Sequence, residues 1–70
     1  MHQLQFSHNL KTALAESKKT QKELADYLGT TQQTVSRWLM GINEPNLETL
    51  LKICTFLNET PNTLLGFGDN

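Results

Sequence analysis

The sequence predicts an all-α fold of five short helices in one compact domain. Three observations carry this. Apolar residues recur at three- and four-residue spacings along the chain, and no stretch of strand-like alternation stands out. Hydroxyl or amide residues stand just before four of the periodic stretches, where a helix needs a cap. Glycines stand just after three of them, where a helix end favours left-handed backbone.

The first helix is expected over residues 5–17. Phe6, Leu10, Ala13, Leu14 and Ser17 fall on one face. The second opens with Thr20-Gln21-Lys22-Glu23, a capping box, and continues through Leu24, Ala25 and Leu28 to a stop at Gly29. Thr31 caps a third helix over residues 32–40, which Gly41 ends in the same way. Ile42-Asn43-Glu44-Pro45 is a loop. Asn46 caps a fourth helix over residues 47–57, with an inner stripe of Leu47, Leu50, Leu51, Cys54 and Leu57 and with Ile53 beside it. Thr60 and Pro61, a cap and a first-turn proline, start a single turn over residues 62–65 that Gly66 closes. The ordered core is expected over about residues 5–66, with fraying ends.

Composition narrows the function classes. The chain has 70 residues, of which 37% are apolar, which suits one small domain. A chain this short buries only about 60% of its unfolded surface, so packing must be efficient. The single cysteine excludes a disulfide staple. One Cys and two His fall short of a four-ligand structural zinc site. No apolar run approaches the roughly 20 residues of a membrane helix, and the first residues lack the pattern of a signal peptide. A cytoplasmic location and no membrane partner are expected. The net charge of −1 argues against non-specific coating of nucleic acid. That total hides an asymmetry. Residues 1–40 carry five basic and three acidic side chains, whereas residues 41–70 carry one basic and four acidic. An anionic partner would meet the first half.

Catalysis has little to work with. There is no phosphate loop, metal spacing, cofactor motif or nucleophile elbow. Ser7, Ser17 and Ser36 have no His-plus-acid set around them, and His8 is only a chain neighbour of Ser7. Cys54, on the inner stripe, reads as a small buried apolar residue. An enzyme is not expected.

The informative stretch is residues 21–40. Two short helices are joined by Gly29-Thr30-Thr31, and the small Ala25 lets them cross closely. Val35 and Trp38 are expected to pack back on Leu24 and Leu28. That leaves Gln32, Gln33, Ser36 and Arg37, all hydrogen-bond donors, on the free face.

The run Thr20-Gln21-Lys22-Glu23-Leu24-Ala25, followed by Gly29-Thr30-Thr31-Gln32-Gln33-Thr34-Val35-Ser36-Arg37-Trp38, resembles the helix-turn-helix of the Cro and phage-repressor family, also called XRE-type or lambda-repressor-like. Residues 6–11 resemble its first helix, and residues 45–53 and 60–66 its last two, so the likeness spans nearly the whole chain. The resemblance implies a transcriptional regulator, a repressor by preference, that reads the major groove of double-stranded DNA. It puts Gln32, Gln33, Ser36 and Arg37 at base edges and Gln21, Lys22, Thr31, Thr34 and Asn43 at the sugar-phosphate backbone. Ser36, like Thr31 and Thr34, also suits a phosphate or thymine-methyl contact. Lys11, Lys18 and Lys22 suit phosphate contacts or plain solvation equally.

The chain departs from the family pattern at three places. Leu14 and Leu39 stand where the family often carries an arginine and a glutamate, so an apolar contact is expected in place of an ion pair. Lys18-Lys19 replaces the glycine and apolar residue that usually follow the first helix, so a different turn is expected. After the third helix only Asn43 suits a phosphate, and Glu44 repels one, so modest affinity with shallow salt dependence is expected. Met40, Ile42, Phe56 and Phe67 have no obvious burial and suggest either scattered surface or a self-association patch. A two-fold homodimer would read a near-palindromic operator. The alternative reading, favoured by the acidic second half and the apolar loop, is a protein-interaction module such as an antitoxin. No small-molecule effector domain is expected, so control would come from concentration, turnover or a partner.

Overall fold

The computed structural model describes residues 5–66. Five helices follow one another: α1 (Phe6–Ser17), α2 (Gln21–Leu28), α3 (Gln32–Leu39), α4 (Leu47–Leu57) and α5 (Pro61–Leu65). All five expected elements are present, with ends displaced by one residue. Gln5 and Met40 are caps rather than helix members, and Pro61 joins the last helix.

The starts follow the hydroxyl and amide signals. Thr20 accepts from the backbone N–H of Glu23, and the Glu23 carboxylate accepts from the Thr20 N–H at 2.8 Å, which completes the capping box. Thr31, Asn46 and Thr60 each accept from the N–H three residues on. Gly29 ends α2 at φ +73°, and a Cβ built there meets nothing within 4 Å, so the glycine is required by backbone conformation and not by crowding.

The turn after α1 keeps the geometry that glycine usually supplies, contrary to the expected difference. Lys18 itself takes the left-handed conformation at φ 59°. Its N–H donates to the Ala15 carbonyl, and the Lys19 N–H donates to the Leu14 carbonyl at 3.0 Å. Lys19 is also useful here, since its ammonium sits 4.9 Å from the centroid of the Phe56 ring.

The core is wholly apolar. Phe6, Leu10, Ala13, Leu14, Leu24, Ala25, Val35, Trp38, Leu50, Ile53, Cys54, Leu57 and Leu64 are buried, and no polar or charged side chain among the described residues joins them. Leu28, Leu39, Phe56 and Leu65 pack on its margin. Leu14 and Leu39 thus lie in one apolar assembly, where the family pattern would put two charges. α5 is too short to hold itself and is tied back to α1. The Asn9 amide donates to the carbonyls of Thr63 and Leu64 at 3.1 Å each.

The fourth helix corrects the expected stripe. Leu47 is 69% and Leu51 47% exposed, while Ile53 is fully buried. The buried sector of α4 is centred on Leu50, Ile53, Cys54 and Leu57, and Leu47 and Leu51 fall together on its flank. The leucine pattern alone gave no way to choose between the two sectors, because both are apolar. Ser17, expected on the inner face of α1, is half-buried and donates to the Leu14 carbonyl. Phe56 is half-buried, with Tyr27 stacked against it at 4.6 Å between ring centroids. Phe67 lies outside the described residues.

Replacing Lys18 by glycine removes the left-handed penalty at a position open to solvent. Lys18→Gly is expected to stabilise the chain by about 0.5–1 kcal/mol, after the greater unfolded-state freedom of glycine is deducted. Urea titration followed by circular dichroism checks this.

Candidate nucleic-acid interface

The residues singled out for recognition sit on α2, α3 and the turn between them. Val35 and Trp38, one helical turn apart, are buried against the core that holds Leu24 and Ala25, with Leu28 at its edge. This anchors one side of α3. Gln32, Gln33 and Arg37 project from the other side and are all exposed. None of the three makes a side-chain hydrogen bond or ion pair among the described residues. A glutamine amide and a guanidinium on one exposed strip of a helix match the paired donor and acceptor edges of adenine and guanine in the major groove.

Ser36 is placed differently from the other three. It is half-buried, and its hydroxyl donates to Oε1 of Gln21 at 2.6 Å, across the crossing of α2 and α3. Sequence reasoning put both residues at the interface but did not see that they pair. The signal was there in principle, since the first residue of one helix and the fifth of the next meet when two short helices cross at a tight turn.

Thr31 and Thr34 are coupled to each other. Thr31 Oγ1 accepts from the Thr34 N–H at 3.1 Å, and the two hydroxyls share one hydrogen bond at 3.0 Å. One hydroxyl proton of the pair is left over for another acceptor. Lys22 is exposed and forms an i,i+4 ion pair with Asp26 at 3.1 Å, which partly neutralises it. Asn43 and Glu44 lie exposed in the loop after α3. Lys11 and Lys18 are exposed as well.

Elsewhere, Cys54 is buried, and burial together with the nearby Glu59 carboxylate pushes its thiol above the ordinary range. It is therefore a neutral packing residue at pH 7. No described helix is long and apolar enough to cross a membrane.

Exposed apolar side chains follow α3 in the chain. Met40 and Ile42, in the segment after α3, are 65% and 63% exposed, and Leu47 and Leu51 on α4 follow shortly after. The Glu48–Lys52 ion pair runs along the same helix at 3.7 Å.

Comparisons with known proteins agree with the helix-turn-helix fold. The family model described as helix-turn-helix matches residues 10–64. An uncharacterized HTH-type transcriptional regulator of Bacillus subtilis, YqaE, is 37% identical over 60 residues, which is 86% of this chain and 52% of that protein. A second, from the SPbeta prophage of the same organism, YonR, is 33% identical over 60 residues, covering 86% and 56%. The chain thus spans about half the length of the curated relatives it matches. The crystal structure of a transcriptional regulator from Listeria innocua superposes with a TM-score of 0.87 at 25% identity, covering 99% of this chain and 64% of that one. The solution structure of the SOS-response transcriptional repressor LexA from Eubacterium rectale gives 0.80 at 29% identity, covering 93% and 72%.

The cap on α3 sets where its first residues stand. Thr31→Ala is expected to lower stability by about 1 kcal/mol. It should also raise amide exchange at positions 32–34 more than elsewhere, as measured by hydrogen exchange on the folded chain.

Proposed function

The chain belongs to the helix-turn-helix family, and on that premise we propose that it is a sequence-specific DNA-binding transcriptional regulator that represses by occupying an operator. The carrying observation is the exposed grouping of Gln32, Gln33 and Arg37 opposite the buried Val35 and Trp38. In this reading the start of α3 enters the major groove. Gln32 and Gln33 bond adenine through both amide atoms, and Arg37 bonds guanine O6 and N7 as a fork. Gln21, Lys22, Asn43 and the spare hydroxyl proton of Thr31 and Thr34 hold the sugar-phosphate backbone and set the register. Ser36 stays outside the base-reading set, because its proton is already given to Gln21.

Electrostatics supports modest affinity per chain. Asp26 offsets Lys22, Glu44 stands beside Asn43, and the net charge is −1. Few counterions are released on binding, so affinity falls gently with salt. A second chain makes up the difference. Met40, Ile42, Leu47 and Leu51, which follow α3 in the chain, are exposed apolar residues, and a two-fold homodimer would cover them. Such a dimer holds its two α3 helices about 34 Å apart and reads a near-palindromic operator. The reading carries with it a cytoplasmic location and no catalytic activity.

Selection of bound sites from a random duplex pool, run beside sedimentation of the free chain, tests the proposal. Enrichment of two inverted half-sites about one helical turn apart is the expected result. Failure to retain any duplex at low salt overturns it in favour of the protein-interaction alternative. On the selected site, Gln32→Ala and Arg37→Ala are each expected to cost about 1–3 kcal/mol of discrimination at one base pair. Lys22→Ala should weaken selected and random duplexes alike. Equal losses on both duplexes for all three variants would reject the assigned roles. Leu47→Glu combined with Leu51→Glu is expected to lower the thermal midpoint only slightly, since Leu47 is 69% and Leu51 47% exposed. Sedimentation should then show monomer, and the two-half-site duplex should bind at least about tenfold more weakly, as loss of the linked second site requires.

A further inference from the structure

We propose that Ser36 is a positioning residue, one that orients the Gln21 side chain as a donor toward the DNA backbone and does not itself read bases. The inference rests on the DNA-binding reading above. A phosphate accepts hydrogen bonds and offers none, so a glutamine beside it is useful only with its NH2 end outward. A free carboxamide presents either end with little preference, and its oxygen end repels a phosphate. In this chain the choice is made from within. The Ser36 hydroxyl donates to Gln21 Oε1 at 2.6 Å, which engages the oxygen and leaves the NH2 as the free end. No protein group among the described residues accepts from that NH2.

Chemistry and placement support the same assignment. A hydroxyl has one proton, and Ser36 has spent it, so its ability to discriminate bases as a donor is gone. It is half-buried, unlike Gln32, Gln33 and Arg37 around it. The bond joins the first residue of α2 to the middle of α3 over a sequence separation of 15. It is the one side-chain hydrogen bond between these two helices among the described residues. The two halves of the recognition unit are therefore linked at the point where one grips the backbone and the other faces the groove. Ordering Gln21 in advance also removes rotamer freedom that would otherwise be lost on binding.

A double-mutant cycle on the full chain tests this with the selected duplex and a random one. Ser36→Ala is expected to weaken both duplexes by about two- to five-fold, from the even choice of amide end and the rotamer freedom that Gln21 regains, with base preference unchanged at every position. In a Gln21→Ala background the same change should cost nothing further. Ser36→Thr, which keeps the hydroxyl, should restore affinity to within about two-fold. A duplex with one methylphosphonate, scanned along the site, should show a position where the original chain and Ser36→Ala bind equally. Altered base preference in Ser36→Ala overturns the proposal, since Ser36 would then be a reader. A loss that persists in full in the Gln21→Ala background also overturns it. So does a loss that tracks a lowered thermal midpoint in both the alanine and threonine variants. If the original chain binds no duplex at all, the regulator reading itself falls before any variant is compared.

Discussion

The whole recognition unit depends on how α3 is seated. Val35 and Trp38 are spaced by one helical turn and buried against the cluster that holds Leu24 and Ala25. Burial of an aliphatic and an indole side chain on one stripe fixes the rotation of α3 about its own axis. Every other property of the reading face follows from that rotation, because residues 32, 33 and 37 have only the opposite side left to occupy. The close crossing of α2 and α3 in turn requires the tight turn. That turn requires left-handed backbone at Gly29 and a cap at Thr31. A small apolar contact, a glycine and a hydroxyl thus together aim three polar side chains.

Most of the fold was legible because the punctuation was explicit. Four of the five helices start at a Thr or Asn whose side chain bonds the third N–H. These are local interactions, readable from neighbouring residues. The misreadings arose where the deciding contact was distant. Which of two apolar sectors of α4 faces inward depends on α2 and α5, so Leu47 and Leu51 were assigned to the wrong side. The turn at Lys18 showed the opposite failure. A lysine in left-handed backbone is intrinsically disfavoured, yet its two turn hydrogen bonds and the apposition of Lys19 on Phe56 hold it there.

The candidate site was legible by type but not by connection. The exposed positions of Gln32, Gln33 and Arg37 follow from periodicity alone. The bond between Ser36 and Gln21 does not, since it needs the crossing geometry of two helices that only packing defines. The same holds for the exposed apolar residues that follow α3. Met40 and Ile42 stood out in the sequence because nothing nearby could cover them, but Leu47 and Leu51 were hidden within an apparently ordinary core pattern.

The absence of any polar or charged side chain from the described core has a consequence for how such a domain changes over generations. Framework and message are written in different alphabets. Aliphatic and aromatic groups hold the scaffold, whereas in the proposed reading amides and a guanidinium at its surface carry the information. Substitutions at the exposed positions 32, 33 and 37 touch no interior partner, so under the proposed function sequence preference is free to drift without endangering folding. A thread between the two layers is position 36, bonded to Gln21, where under the proposal a change would unsettle the grip on the sugar-phosphate chain while leaving the text being read the same.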